Sequence, residues 1–155
     1  MNEAAFRLGQ LLSIADIMHA GYCADVRRGQ VPPALLGNAV LTMAQANPAK
    51  ALAALARRWK PYASWAKRAS AVDAAKLRAS EKREERDRGW RISQAIWQHR
   101  RAAEISAALH DHLPQMADDV FRAELLLGYV AGLPPRTKAE SDDDDQRGEE
   151  SDGDV

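Results

Sequence analysis

Between Glu3 and about Ala20 the apolar residues Leu8, Leu11, Leu12, Ala15 and Met18 recur at steps of three and four, which lines one face of an α-helix. Gly21 predicts the end of that helix, and Tyr22 to Val31, with Arg27, Arg28 and Gly29, reads as a polar connection. Pro32 and Pro33 suit the first turn of a second helix, where a missing N–H costs nothing, and Leu36, Val40 and Met43 form its apolar stripe. Asn47-Pro48 puts a capping side chain directly before a first-turn proline, so a third helix starts there. Leu52, Leu55, Ala56 and Trp59 are its apolar side, and Pro61 is expected to end or kink it.

Ser70 to about Leu109 is the longest helical pattern, with Gly89 as its weak point. Glu84 with Arg88, and Asp87 with Arg91, set an acid four residues ahead of a base, as an exposed helix favours. Pro114 breaks the pattern, and Asp118 and Asp119 suit the positive end of a last helix. Val120, Phe121, Leu125, Leu126 and Val130 make that helix the most apolar of the set and the expected centre of the fold. Gly132, Pro134 and Pro135 close the domain. No segment of the body alternates apolar and polar residues as a strand would, and no internal repeat is visible. The expected class is all-α: a compact helical bundle of four to six helices over residues 1–138, with a disordered acidic C-terminal tail over 139–155.

Charge changes this picture more than composition does. The net charge is zero, but residues 139–155 hold nine acids and one Arg, a net of −8. Residues 1–138 therefore carry +8, and residues 50–101 alone hold 15 Lys or Arg against five acids, a net of +10. Such a basic stretch is the electrostatic footprint of a polyanion-binding surface. No run approaches the roughly 18 apolar residues of a membrane span, so no membrane partner is expected. The N-terminus has no secretory pattern, and the single Cys23 fits a reducing, cytoplasmic setting.

Signs of catalysis are missing. Of the histidines His19, His99, His110 and His112, only the last two are close, and two positions apart they face different sides of a helix. Asp142 to Asp145 lack the alternating ligands and turn glycine of a calcium loop. There is no zinc-finger spacing, phosphate-cradling glycine motif or nucleophile elbow, so neither an enzyme nor a cofactor is expected.

Two basic clusters are the candidate site. At 100° per residue, Arg83, Arg86, Trp90, Gln94, Trp97 and Arg101 share one face of the long helix, with Ile92, Ile96 and Ala103 roughly opposite as its core side. Arginines beside two indoles suit phosphates and stacked, unpaired bases. The competing reading packs Trp90 and Trp97 on a neighbouring helix and leaves the arginines as a solvated rim. The second cluster is Arg57, Arg58, Lys60, Lys67 and Arg68, interleaved with Trp59, Tyr62 and Trp65. Trp59 also completes the apolar stripe, which favours packing for that residue.

Residues near both ends carry a resemblance. Ala5-Phe6-Arg7-Leu8-Gly9-Gln10-Leu11, Pro33 through Ala46 with Ala49-Lys50, Glu104-Ile105 through Leu109, Leu113-Pro114 and Leu126-Leu127-Gly128-Tyr129 are involved. Together, and in this order, they resemble the C-terminal helical region of the large subunit of type I CRISPR Cascade complexes, especially the type I-C-like branch. That region is also made as a separate small subunit from an internal start, and Met1 directly before the matching segment fits such a product. The resemblance implies a helical bundle present in several copies, with the large and backbone Cascade subunits and further copies of itself as protein partners. Guide RNA and target DNA, including the displaced single strand, are the implied nucleic acids. The matching segments are packing segments and carry over no individual contact residue. The Tyr22–Val31 connection lacks the longer aromatic and Ser-rich stretch of the type I-C pattern, and the acidic tail lies outside it.

Three functions stand against one another on these grounds. The first is a non-catalytic nucleic-acid-binding subunit of a CRISPR effector. The second is a bacterial adaptor or regulator that binds a protein and leaves its cations for solubility. The third, a stand-alone DNA-binding regulator, lacks a recognisable helix-turn-helix.

Overall fold

The computed structural model describes residues 2–28, 30, 32, 34–109 and 112–133. The acidic tail, Pro33 and His110 lie outside the described residues. Six helices follow one another: α1 (Glu3–Val26), α2 (Leu36–Ala46), α3 (Pro48–Arg68), α4 (Ala71–Arg78), α5 (Arg83–Leu109) and α6 (Asp119–Gly132). There is no strand among the described residues, so the chain is an all-α bundle.

The centre is α1, not α6. It packs against α2, α3, α5 and α6, and Leu8, Leu11, Leu12, Ile14, Ala15, Ile17 and Met18 are all buried along it. Its apolar residues go almost all the way round, which suits a helix enclosed by neighbours. By contrast α6 buries only Phe121, Leu125 and Gly128, while Val120, Leu126 and Val130 are exposed. Its many apolar residues did not make it central, because only one of its sides meets α1.

Close backbone approach seats α6 on α1. A Cβ on Gly9 would run into the Leu125 carbonyl oxygen and lie 2.6 Å from the Tyr129 nitrogen, and one on Gly128 would overlap the Phe6 carbonyl oxygen. The segments around Gly9 and Gly128 therefore meet in the fold.

Local signals start three helices as expected from capping chemistry. Asn47 Oδ1 accepts the Lys50 N–H at 3.0 Å with Pro48 in the first turn of α3. Ser70 Oγ accepts the Asp73 N–H at 3.2 Å, and Asp118 Oδ1 the Phe121 N–H at 2.7 Å. The start of α2 is different. Pro32 precedes the helix, which begins at Leu36, and its cap residue Leu35 offers no side-chain acceptor. Two α1 side chains supply acceptors instead: His19 Nδ1 takes the Leu36 N–H and Asp16 Oδ1 the Asn38 N–H, each at 3.0 Å. Asp16, almost fully buried, also accepts the Tyr129 hydroxyl and so ties α1, α2 and α6 together. Burial raises the Asp16 pKa despite those bonds, and it lowers that of His19.

Besides the start of α2, three helix boundaries differ from the expected ones. α1 runs through Gly21 to Val26, because Gly21 is where α5 comes close: a Cβ there would sit 2.9 Å from the Arg91 carbonyl oxygen. Tyr22 accordingly packs edge-on to Tyr62 and Trp65 instead of forming a polar loop. α3 continues through Pro61 to Arg68, its last turns held by buried Trp65 and Ala66. Trp65 Nε1–H also donates to Asp25 at 2.8 Å. The long pattern after Ser70 breaks at residues 79–82 and not at Gly89. Gly89 is the seat of α4, where a Cβ would lie 2.6 Å from Arg78 N and 2.7 Å from Ala74 O. No helix among the described residues is long and apolar enough to cross a membrane.

Candidate nucleic-acid interface

The buried row of α5 is Gly89, Ile92, Ala95, Gln98, Ala102 and Leu109. Ile92 is on the expected side, Ile96 is half-buried, and Ala103 is exposed, so the core side is rotated from the row Ile92–Ile96–Ala103 toward Ala95 and Ala102. At 100° per residue the opposite side holds Arg83, Arg86, Trp90, Trp97 and Arg101. All five are exposed. Trp97 is 60% exposed and Trp90 43%, so neither indole serves as a core anchor. From Arg83 to Arg101 the row extends about 27 Å along the helix axis.

Its members differ in freedom. Arg86 Nη1 donates to the carbonyls of Ser80 (3.1 Å) and Glu81 (2.7 Å), so it braces the turn between α4 and α5. Trp90 is met by Arg78, whose guanidinium carbon lies 5.9 Å from the ring centroid, a cation–π distance. Arg78 thus joins the site through the α4–α5 turn. It lies in the basic stretch, but its partnership with Trp90 depends on the break at 79–82. Glu104, exposed on the same side one turn beyond Arg100, marks where the cationic row stops. Gln94 is half-buried at the edge of the row.

The α3 cluster is cationic but not aromatic. Arg57, Arg58, Lys60, Lys67 and Arg68 are exposed, whereas Trp65 is buried and Trp59 and Tyr62 pack partly against the core. Tyr62 stacks at a tilt on His19, with ring centroids 4.7 Å apart. The interleaving of bases and aromatics in sequence is therefore a separation in space: rings inward, charges outward.

α3 and α5 flank a small apolar cleft lined by Leu52, Leu55, Ala56, Trp59, His99 and Ala102, among others. Burial, and then the nearby charge of Lys67, lower the His99 pKa, so its ring is neutral around pH 7. Nδ1 of His99 and Oε1 of Gln98 are buried without a hydrogen-bonding partner among the described residues. Cys23 is buried, and burial raises its thiol pKa, the opposite of what a nucleophile needs. Among the described residues no three His, Cys, Asp or Glu side chains are grouped to hold a metal ion.

What remains as surfaces of distinct chemistry are the outer side of α5 and, separately, the exposed cations of α3. Searches with protein-family models, of curated proteins and of solved structures each find no match to this chain.

Proposed function

We propose that the chain is a non-catalytic nucleic-acid-binding structural subunit of a CRISPR Cascade effector, steadying guide RNA, target DNA and the displaced strand in antiviral defence. The observation that carries the nucleic-acid part is the outer side of α5, where Trp90 and Trp97 face solvent among Arg83, Arg86 and Arg101. An exposed indole costs solubility and returns nothing to the core, whereas a base has a π-face for it to stack on. Arginines at these spacings meet phosphates on either side of a stacked base, and the α3 cations extend the positive field. The Cascade part rests on the ordered set of resembling segments, two of which pack together at Gly9 and Gly128. Partners in this reading are the large and backbone subunits, further copies of the chain, guide RNA and target DNA.

Binding to single- and double-stranded DNA, followed by fluorescence anisotropy, tests it. Affinity should carry little sequence preference and fall with salt by about 0.7–0.9 log units per log unit for each phosphate contacted. Trp97→Ala with Arg101→Glu should weaken binding while helical circular dichroism is unchanged. Arg86 is left intact because it braces a turn. Salt-independent binding, or none by the chain alone and in an assembled complex, overturns the nucleic-acid part. Failure to co-purify with co-expressed Cascade subunits and guide RNA overturns the Cascade part. The adaptor reading draws on the aliphatic side that α6 leaves exposed, and it requires protein binding with no DNA affinity.

A further inference from the structure

The cations of α3 have no acids among them. Between Asp25 and Asp73 the chain has eight Lys or Arg and no Asp or Glu. Arg57, Arg58, Lys60, Lys67 and Arg68 are exposed, and none has an ion pair among the described residues. α5 differs. Glu84, Glu85 and Asp87 share its first turns, and Arg86 and Arg88 donate to the carbonyls of Ser80, Glu81 and Ala24. At 100° per residue Arg57, Lys60, Lys67 and Arg68 of α3 fall within an arc of about 100°, roughly opposite the buried Ala54, Leu55, Trp65 and Ala66. The row they form is about 16 Å long.

The chain itself brings a counter-charge to this row. α6 ends on α1 beside Ser13, where a Cβ on Gly132 would overlap Ser13 Oγ. The middle of α3 meets α1 at His19, whose ring centroid lies 4.7 Å from that of Tyr62. Ser13 and His19 are about 9 Å apart along the axis of α1. With α3 and α6 each packed on α1 at about 8–10 Å between axes, the end of α6 lies within roughly 25 Å of the row. Residues 139–155 follow with a net charge of −8, and Asp142 to Asp145 stand nine to twelve positions beyond Leu133. Chain of that length spans up to about 30–40 Å, so these four carboxylates reach the row. On one chain the two groups meet at an effective concentration on the order of millimolar, so ion pairs that are each weak suffice together.

We infer that the acidic segment 139–155 is the occupant of the outer side of α3, its carboxylates paired with Arg57, Lys60, Lys67 and Arg68. Charge and reach select it: the row has no acid of its own, and the chain supplies eight net negative charges close by. The contact needs no nucleic acid. Nucleic acid drawn to the α3 cations would first have to displace the segment, which discourages non-specific binding. That consequence alone rests on the proposed function.

Carbodiimide cross-linking of the full chain at micromolar concentration, without nucleic acid, tests the contact. The reagent joins a carboxylate to a lysine amine where the two touch, taking up the water that is lost. The expected products link Lys60 or Lys67 to Asp142–Asp145 in preference to Lys76 and Lys82, and they fall at least about fivefold at 1 M salt, where the Debye length is about 3 Å. Arg57→Glu with Arg68→Glu should lower the yield by at least about fivefold with circular dichroism unchanged. The same change at Arg91 and Arg100, exposed on α5, should leave the yield as it was. Links spread evenly over all lysines, or indifferent to salt and to the α3 variant, overturn the contact. Links between isotopically light and heavy chains in a mixture would assign the segment to a second copy and overturn it as well. Unlinked Lys60 and Lys67 that added single-stranded DNA shields from acetylation would give the row to nucleic acid instead. Links that persist in a chain without DNA affinity would sink the nucleic-acid reading and leave this contact standing.

Discussion

α5 and α6 both lie on α1, each burying one row and showing the other to solvent, yet what they show could hardly differ more. α5 exposes arginines and two indoles, while α6 exposes valines and leucines beside a single Asp119–Arg122 ion pair. From composition alone, α6 belongs inside and α5 at the rim. The fold gives the inside to α1, whose apolar residues cover nearly its whole circumference. The number of apolar side chains on a helix sets how much surface must be hidden from water. It does not say whether the same chain or another one hides it.

The largest effects should separate buried rows from exposed ones. Phe121→Ala is expected to cost about 3–5 kcal/mol and Ile92→Ala about 2–5 kcal/mol in chemical denaturation, since both side chains are buried. Val130→Ala should change the stability of the monomer by less than about 0.5 kcal/mol. An equal loss at Val130 and Phe121 in the monomer would mean that α6 is enclosed on both sides.

The glycine seats should come next. Gly128→Ala and Gly89→Ala each force a methyl into neighbouring backbone, at a cost of about 1–3 kcal/mol or more. Gly89→Ala should in addition lift α4 from α5 and loosen Arg78 from Trp90, which a change in indole fluorescence would report.

Trp97→Ala sharpens the contrast between the exposed sides. It should leave stability within about 0.5 kcal/mol while weakening single-stranded DNA binding by about 1–3 kcal/mol, the worth of one stacked base. Leu127→Ala should do neither. Comparable losses of DNA affinity from both variants would remove the distinction between the two helices.

The smallest effects concern pH, where the two helices respond at opposite ends of the scale. His99 on α5 has its pKa lowered by burial and then by Lys67, so the unfolded chain binds the proton more readily. Its contribution is complete above the ordinary value of 6.5 and is lost as pH falls below it. Tyr129 on α6 is pushed up to about 12 by burial and by Asp16, which accepts its hydroxyl hydrogen bond. That contribution is complete below pH 10 and is lost as pH rises through about 12. In thermal melts His99→Gln should flatten the acid limb and Tyr129→Phe the alkaline one. The reverse pattern would misassign both groups.

Much of the local structure was legible in the residues. Asn47-Pro48 and Asp118 mark helix starts because the donor and acceptor are three positions apart, and nothing distant is needed to satisfy them. The exposed arginines were legible too, since a long charged side chain reaches water from almost any helical position. The burial of Trp65 and the exposure of Trp97 were not: both indoles sit in basic stretches, and only the approach of Tyr22 and Asp25 distinguishes the first. Gly21 and Gly89 failed to end or break their helices for a related reason. A glycine weakens a helix by roughly 1 kcal/mol, and the packing of a neighbour against its bare backbone can exceed that.

By itself, then, the sequence determined the helical class, the capped starts, the segregation of charge and the arginine side of α5, all set by interactions within a few residues. The tertiary structure alone decided which helix is central and where α2 begins, through the acceptors Asp16 and His19 on α1. It also decided which tryptophans and which apolar row remain uncovered. Those outcomes depend on contacts between residues far apart in the chain, and periodicity along one helix carries no information about what packs against it.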